Sequence, residues 1–390
     1  MSLIDFFTPV SRADILGEDA VLSSQFGAFI NSYETDFPAL DEIDVAILGV
    51  MDDRGAVNNR GCAAGADSFR KALYRLHQGD YAGRIADLGN ILQGHSVNDT
   101  YSALKTVVSE LVKGGILPII IGGGQDLTYA QYLAYENLEQ RVDLVVVDPA
   151  FDLLEDASNK ETSSRSYLNK IMLHDPNYLF NFSNIGYQTY YVNQESLRVF
   201  DKLLFDVYRL GTFAGKIDQA EPVLRNADMI SFDIGAIRAS DAPANKNAGP
   251  NGFYGEDACQ ICRYAGMSDK LSSIGFYEYN PQQDVNGQTA MLLAQMVWYL
   301  IDGYYGRKKD FPLQPKSSYI IYRTALVADD HEVVFVKSKK SDRWWMQVPY
   351  PNTKSVNERY HMVPCRYEDY QTAIGGELPD LWWRTYQKLI

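Results

Sequence analysis

Three short runs place chemically active side chains where an apolar stretch stops. One apolar run ending at Ile121 passes into Gly122-Gly123-Gly124-Gln125-Asp126-Leu127-Thr128. A second ends in Asp148-Pro149-Ala150-Phe151-Asp152, and a third in Ser231-Phe232-Asp233-Ile234-Gly235. Consecutive glycines let a backbone turn sharply beneath a ligand, although any strand-to-helix turn can use glycine and Asp126 could serve only to cap a helix. Alternate residues of a strand point the same way, so Asp148 and Asp152 share one face at the rim, with Ala150 between them, if the chain stays extended. That spacing suits a shared cation. The competing reading gives each aspartate a helix to cap. Three aspartates converging without a cation would repel, and at least one would hold its proton. Something positive is therefore expected beside them. It is either a single hard divalent ion, for which all-oxygen ligands suit Mg²⁺, Mn²⁺ or Ca²⁺, or the guanidinium of Arg238 in an internal salt bridge.

The elements that must position these groups are legible as alternation. Short apolar runs at 43–50, 84–88, 116–121, 142–148, 183–186, 227–233, 272–279 and 318–322 read as strands, and helical periodicity fills 66–77, 98–113, 127–138, 196–209, 255–265 and 286–302. Strand alternating with helix predicts an α/β fold of three layers, α/β/α, around a mostly parallel sheet of about eight strands. Leu144-Val145-Val146-Val147 and Ile119-Ile120-Ile121 lack polar alternation, as central strands buried on both faces do. Ligand chemistry then belongs at the strands' carboxyl ends. The sequence changes character after about residue 325, with Lys337-Ser338-Lys339-Lys340, Trp344-Trp345 and Trp382-Trp383. We divide the chain into a domain at 1–325 and an extension at 326–390 that packs on it, with the paired tryptophans as anchors.

The chain has 390 residues, of which 46% are hydrophobic, and its 50 acidic against 36 basic residues give a net charge of −14. Such a charge repels nucleic-acid phosphates and anionic membranes, so neither is an expected partner. The first positive side chain is Arg12, no apolar stretch is long enough to span a bilayer, and the four cysteines are too sparse for a disulfide framework. A cytoplasmic location is expected. Cys259-Gln260-Ile261-Cys262 has metal or redox spacing but falls inside a helical pattern without a second cysteine pair, which favours packing. His77, His95, His331 and His361 belong to no ligand pattern. No paired nucleophile and base suggests a serine or cysteine hydrolase.

Taken together the motifs resemble the ureohydrolases, the family of arginase, agmatinase and formimidoylglutamase, over most of residues 45–305. Beside the three strand-end runs, the resemblance rests on Gly49-Val50-Met51-Asp52 with Arg60-Gly61-Cys62-Ala63-Ala64-Gly65-Ala66 and Phe69-Arg70-Lys71-Ala72-Leu73. It rests also on Glu278-Tyr279-Asn280-Pro281 with Asp284, Gly287, Thr289 and Ala290. The triple glycine is most similar to the formimidoylglutamase branch. The resemblance implies an arginase-like sheet and two bridged manganese ions held by Gly-Gly-x-His, Asp-x-His-x-Asp and Asp-x-Asp turns.

At those positions Asp148, Asp152 and Asp233 match ligands, whereas Gln125 and Ala150 replace histidines and Gly235 replaces an aspartate. By the family's pattern one site keeps Gln125, Asp148, Asp152 and Asp233, and the other has lost both ligands of its own. The resemblance thus implies none or one divalent cation (Mn, Mg or Ca) and no dinuclear manganese centre. It further implies metal-linked catalytic chemistry for Asp152 and cation recognition for Glu278, which could instead be a strand-end salt bridge. The family's histidine after Asp152 is also missing, since none occurs from Leu153 to Leu173 and His174 precedes Asp175 without the glycine motif. Hydrolysis by a bridging hydroxide needs two cations to lower the pKa of water. The ligand losses therefore favour a non-catalytic or impaired relative that binds a guanidino or formimino small molecule and can form homo-oligomers. The alternative is an active C–N hydrolase of formimidoylglutamase, agmatinase or arginase type with a one-metal site.

Overall fold

The protein is seen in a computed structural model that describes residues 2–17, 21–81, 83–153, 162–312, 316–325, 332–350 and 360–389. His331 lies outside the described residues. The apolar runs form strands β1 (Phe7–Thr8), β2 (Asn31–Ser32), β3 (Val45–Met51), β4 (Ile85–Leu92), β5 (Leu117–Ile121), β6 (Val142–Val147), β7 (Leu179–Tyr187), β8 (Asp206–Arg209), β9 (Met229–Asp233) and β10 (Ser273–Tyr277). They make one 10-stranded sheet in the order β1-β4-β3-β5-β10-β9-β6-β7-β8, with β2 paired to β4. Every pairing is parallel except β1 with β4.

Continuous apolar strands need cover on both faces, and the helices supply it. Alternate residues Val45, Ile47, Ile119, Ile121, Val145 and Val147 pack beneath α1 (Arg12–Leu16), α3 (Gly65–Leu73), α8 (Glu221–Asn226), α9 (Gly255–Gly266) and α10 (Gln288–Tyr305). The intervening residues Ala46, Leu48 and Ile120 face α4 (Val97–Lys113) and α5 (Leu127–Asn137). Further along, Leu144 and Val146 face α5, α6 (Tyr167–Met172) and α7 (Gln194–Lys202). Short α2 (Phe26–Phe29) completes the first layer beside α3. The three-layer α/β/α architecture is as the alternation predicts.

Two element readings need correction. The helix expected over 196–209 stops at Lys202, and the chain turns through Leu204 at φ +61° into the edge strand β8. The strand expected at 318–322 is not part of the main sheet. It is β11 (Tyr319–Ala325), the first strand of a separate antiparallel sheet in the order β11-β12-β13-β14, with β12 (Glu332–Ser338), β13 (Trp344–Gln347) and β14 (Met362–Cys365). Helices α11 (Tyr367–Ile374) and α12 (Asp380–Leu389) complete this extension.

The extension docks at the amino ends of the main strands. Arg225 of α8 donates to the carbonyl of Trp344 at 3.0 Å and lies 4.3 Å over the Trp345 ring, while Phe180 and Tyr360 stack at 3.9 Å. Trp345 is buried, Trp344 stacks inside the extension on Tyr322 and Tyr370, and Trp383 remains exposed.

Candidate functional site

The site lies at the carboxyl ends of β5, β10, β9 and β6, adjacent strands drawn from distant parts of the sequence. After β5 the backbone takes φ +92° at Gly122 and +79° at Gly123. A Cβ on Gly123 would lie 2.3 Å from Leu127 Cδ1 and 2.5 Å from the Asp52 carbonyl, so this turn admits no other residue. It delivers buried Gln125, whose N–H donates to Glu278 Oε1 at 3.0 Å and whose Nε2 donates to the Tyr167 hydroxyl at 3.2 Å. Asp126 does not cap α5. Its Oδ2 accepts from Tyr101 at 2.6 Å, and burial pushes its carboxyl up to about 7.

Asp148 follows β6 directly, and its Oδ1 accepts the Ala150 N–H at 2.7 Å. Here the backbone departs from the extended geometry assumed from spacing. Asn184 Nδ2 holds the carbonyls of Asp148 and Ala150 at 3.3 and 3.2 Å, and Asp152 has φ +51°. The bend nevertheless brings the carboxyl of Asp152 within hydrogen-bonding reach of Asp148. Asp148 Oδ2 is buried without a hydrogen-bond partner among the described residues, and the side chains of Asp152 and Gln125 both lie near enough to Asp148 to favour its ionised form. Asp233 ends β9, and its Oδ1 accepts from Gly235 N at 2.7 Å and Asn245 Nδ2 at 3.3 Å.

Glu278 follows β10 with φ +66°. Its Oε2 accepts from Asn59 Nδ2 at 2.7 Å, and the same amide donates to the Glu278 carbonyl at 2.8 Å. These neutral donors replace the salt bridge considered for it. Arg238 does not neutralise the cluster either: its Nε pairs with Asp241 at 2.8 Å and its guanidinium lies 3.7 Å over the Tyr254 ring.

The structure therefore brings Gln125, Asp148, Asp152, Asp233 and Glu278 to one floor. Burial pushes Asp148 up to about 6 and Glu278 up to about 7. Burial, then the charges of neighbouring acids, raise Asp152 and Asp233 well above the usual carboxylate range. Such a floor can share protons among its carboxyls, or lose them to an entering cation whose N–H groups or charge take their place.

It fits two metal ions poorly. Ala150 and Gly235 carry no side-chain donor atom. A Cβ at Gly235 would meet Asn245 Nδ2 at 3.1 Å and the Asp233 carboxylate at 3.2 and 3.3 Å, so Asn245 occupies the space a longer side chain needs. Among the described residues no group of three or more His, Cys, Asp or Glu is arranged to hold a metal ion. Cys62, Cys259 and Cys262 are buried free thiols, and burial raises all three.

Sequence reasoning did not single out Asn59, Tyr167 or Asn245. They are uncharged side chains, two of which, Asn59 and Tyr167, find partners 219 and 42 positions away, and only the Asn-Asn-Arg-Gly run before Cys62 offered a signal.

The family model described as the arginase family matches residues 43–302, a range that holds every residue of this site. The chain belongs to the arginase family. Formimidoylglutamase of Staphylococcus aureus (strain MRSA252) is 27% identical over 275 residues, covering 66% of this chain and 85% of that protein. Formimidoylglutamase of Staphylococcus haemolyticus (strain JCSC1435) is 26% identical over 277 residues, covering 67% and 86%. Among solved structures, formimidoylglutamase from Bacillus subtilis subsp. subtilis str. 168 shares the fold with a TM-score of 0.66 at 15% identity, covering 75% of this chain and 96% of that one. Trypanosoma cruzi formiminoglutamase with Mn2+2 does so with a TM-score of 0.63 at 19% identity, covering 70% and 100%. The extension beginning at Tyr319 lies beyond the residues that the arginase-family model matches. No described helix is long and apolar enough to cross a membrane.

Proposed function

We propose that this arginase-family protein has lost the dinuclear manganese site and, with it, metal-dependent hydrolysis. Its crevice serves as a binding site for a small guanidino or formimino compound. The observation that carries the reading is the acid floor itself. Where a metal pair would need imidazole and carboxylate donors, Ala150 and Gly235 offer none, and the acids take hydrogen bonds from Ala150 N, Gly235 N and Asn245 instead. A planar amidinium carries several N–H donors in one plane, which matches carboxyl acceptors converging from separate strand ends. Glu278, held on both oxygens by Gln125 N and Asn59, is the most rigid of them and faces the ligand's cationic head.

A second reading keeps one cation on the oxygen donors of Gln125, Asp148, Asp152 and Asp233, with Asp152 taking part in C–N hydrolysis. The four oxygen-bearing side chains at those positions favour it. Elemental analysis of protein purified without chelator separates the readings. The first expects substoichiometric manganese, and no turnover of formiminoglutamate, agmatine or arginine above background. About two manganese ions per chain, or turnover on the usual enzymatic scale of roughly 1 to 1,000 per second, overturns it.

A further inference from the structure

The sheet of the extension has one covered edge and one open edge. At the covered edge, β14 is short and wholly buried against α8, where Arg225 donates to the Cys365 carbonyl at 3.4 Å. At the other, β11 runs for seven residues, and Ile320 and Ile321 are each 41% exposed on its two faces. Ile320 shares its face with Tyr322, which packs with Phe335 and Ala373 on the side of α11. Ile321 shares the opposite face with Tyr319, which packs with Val336 and Trp345.

The register shows which backbone groups of β11 are already used. The Ser318 carbonyl accepts the Lys339 N–H at 3.1 Å, one step before the pair Tyr319–Ser338. Opposed residues of an antiparallel ladder alternate between exchanging both bonds and exchanging none. Ile320, Tyr322 and Thr324 therefore bond to β12, and the N–H and C=O groups of Ile321, Arg323 and Ala325 point away from it. Ser338 agrees with this phase, since its N–H turns from β11 to the Arg343 carbonyl at 2.9 Å. Among the described residues, no backbone group from Ile320 to Ala325 bonds outside the ladder with β12.

Native sheets guard such an edge with a proline, a bulge, a free charge or a cover. β11 has no proline, and its pairing with β12 runs without a register shift. Its one charge, Arg323, is taken by Glu332, with Nη1 2.6 Å from Oε2.

We infer that β11 pairs antiparallel with β11 of a second copy, joining the two extensions into one sheet across a two-fold axis. A strand laid against its own copy satisfies that symmetry by itself, because each residue and its partner exchange places. With Tyr322 on the axis, Ile321 of each copy opposes Arg323 of the other, and each such pair exchanges both N–H···O=C bonds through the groups left open. This register lays the Arg323 stem on exposed Ile321 and keeps the guanidiniums apart, whereas centring on Arg323 would set them side by side. Copies that each carry −14 repel one another, but at this edge Arg323 and Glu332 neutralise each other. The inference does not depend on what the acid floor binds.

Sedimentation of the full chain from about 1 to 100 µM, a range that separates tight from weak association, should show particles with an even number of chains. Hydrogen exchange should find the N–H groups of Ile321 and Arg323 protected. Arg323→Pro removes an outward N–H and no bond to β12, so it should halve the particle mass with circular dichroism and melting temperature near those of the wild type. Ile321→Lys sets an ammonium against Arg323 of the other copy and should weaken association at least about tenfold. Ile321→Lys combined with Arg323→Glu puts opposite charges in the same pair and should restore the particle. A wild-type chain that stays single, or an odd-numbered particle, overturns the proposal. So does an unchanged mass in both single variants, which would place the contact elsewhere. Failure of Arg323→Pro to fold would contradict the outward direction of its N–H, and a folded double variant that stays dissociated would refute the pairing of Ile321 with Arg323; either overturns the proposal.

Discussion

Replacing Arg70 by methionine should cost the fold about 3 to 5 kcal/mol, the usual penalty for stripping one partner from a buried ion pair. Arg70 and Asp87 are 1% and 0% exposed. The guanidinium grips the carboxylate with two bonds, Nε to Oδ2 at 2.8 Å and Nη2 to Oδ1 at 2.9 Å. It also donates to the Gly89 carbonyl at 2.9 Å, to Asn90 Oδ1 at 2.6 Å and to Asp67 at 2.9 Å. Burial alone would lower the Arg70 pKa, but Asp87 overrides it and holds the group above its ordinary value. Methionine fills much of the stem's volume yet, among the described residues, leaves Asp87 with only the Tyr74 hydroxyl and the Gly89 N–H as donors. The unfolding entropy of a chain this long is roughly 0.8 kcal/mol/K at about 2 cal/mol/K per residue, so the melting temperature should fall by about 4 to 6 °C. Urea unfolding followed by circular dichroism gives the free energy directly. The double change Arg70→Met with Asp87→Leu should regain most of the loss, because no charge is then left unpaired. A single-variant cost below about 1 kcal/mol, or no recovery in the double variant, refutes the argument that α3 is locked to β4 by this pair.

The triple change Gln125→His, Ala150→His and Gly235→Asp should raise manganese affinity in titration calorimetry, and adding Asn245→Ala should raise it further by clearing the space beside Gly235. Equal affinity in all of these variants and the wild type would remove Gln125, Ala150 and Gly235 from any ligand shell. Gly123→Ala should fail to fold or lose more than about 2 kcal/mol, since its φ and its contacts with Leu127 and Asp52 both exclude a Cβ; a melting temperature within 1 °C of wild type, on the order of measurement error, would contradict this. Lys270→Met should destabilise by about 3 kcal/mol or more in urea, because Asp143 and Asp228 then share a buried site without their cation. Asn59→Ala should weaken binding of a guanidino ligand by at least about tenfold while sparing most secondary structure, and unaltered affinity would show that Glu278 needs no anchoring.

The parts of the site visible in the sequence are those marked by a change of pattern. Asp148, Asp233 and Glu278 each stand where an unbroken apolar run stops, so strand, strand end and carboxylate are read together. Extended spacing suggests that Asp152 shares a face with Asp148, whereas in the structure a bend at positive φ brings it beside Asp148. Arg238 looked free to neutralise the acids because nothing in the order of residues shows that Asp241, three positions on, turns it back onto Tyr254. Asn59, Tyr167 and Asn245 escaped notice for a related reason. A neutral side chain acquires a role only from its partner, and Asn59 finds Glu278 219 positions away. Residues 206–209 read as helix because their edge strand is half-buried and carries no continuous apolar run.

The strand order also sets a timetable for folding. Without β9 and β10 the sheet consists of two separate parts, β1-β4-β3-β5 and β6-β7-β8, each ending in an unpaired apolar edge. The two strands that join them are among the last synthesised of the main sheet, and Gln125 meets Glu278 across 153 positions. A chain emerging from the ribosome therefore carries an open edge at β5 until β10 (Ser273–Tyr277) is made and another at β6 until β9 (Met229–Asp233) is made, the condition under which chains pair wrongly or aggregate. It also means that Asp148 and Asp152 acquire Asp233 and Glu278 as neighbours only when the central strands insert. The mutual repulsion of the floor is thus charged to the closing step of folding, and a cationic ligand or protons present at that moment would lower its barrier.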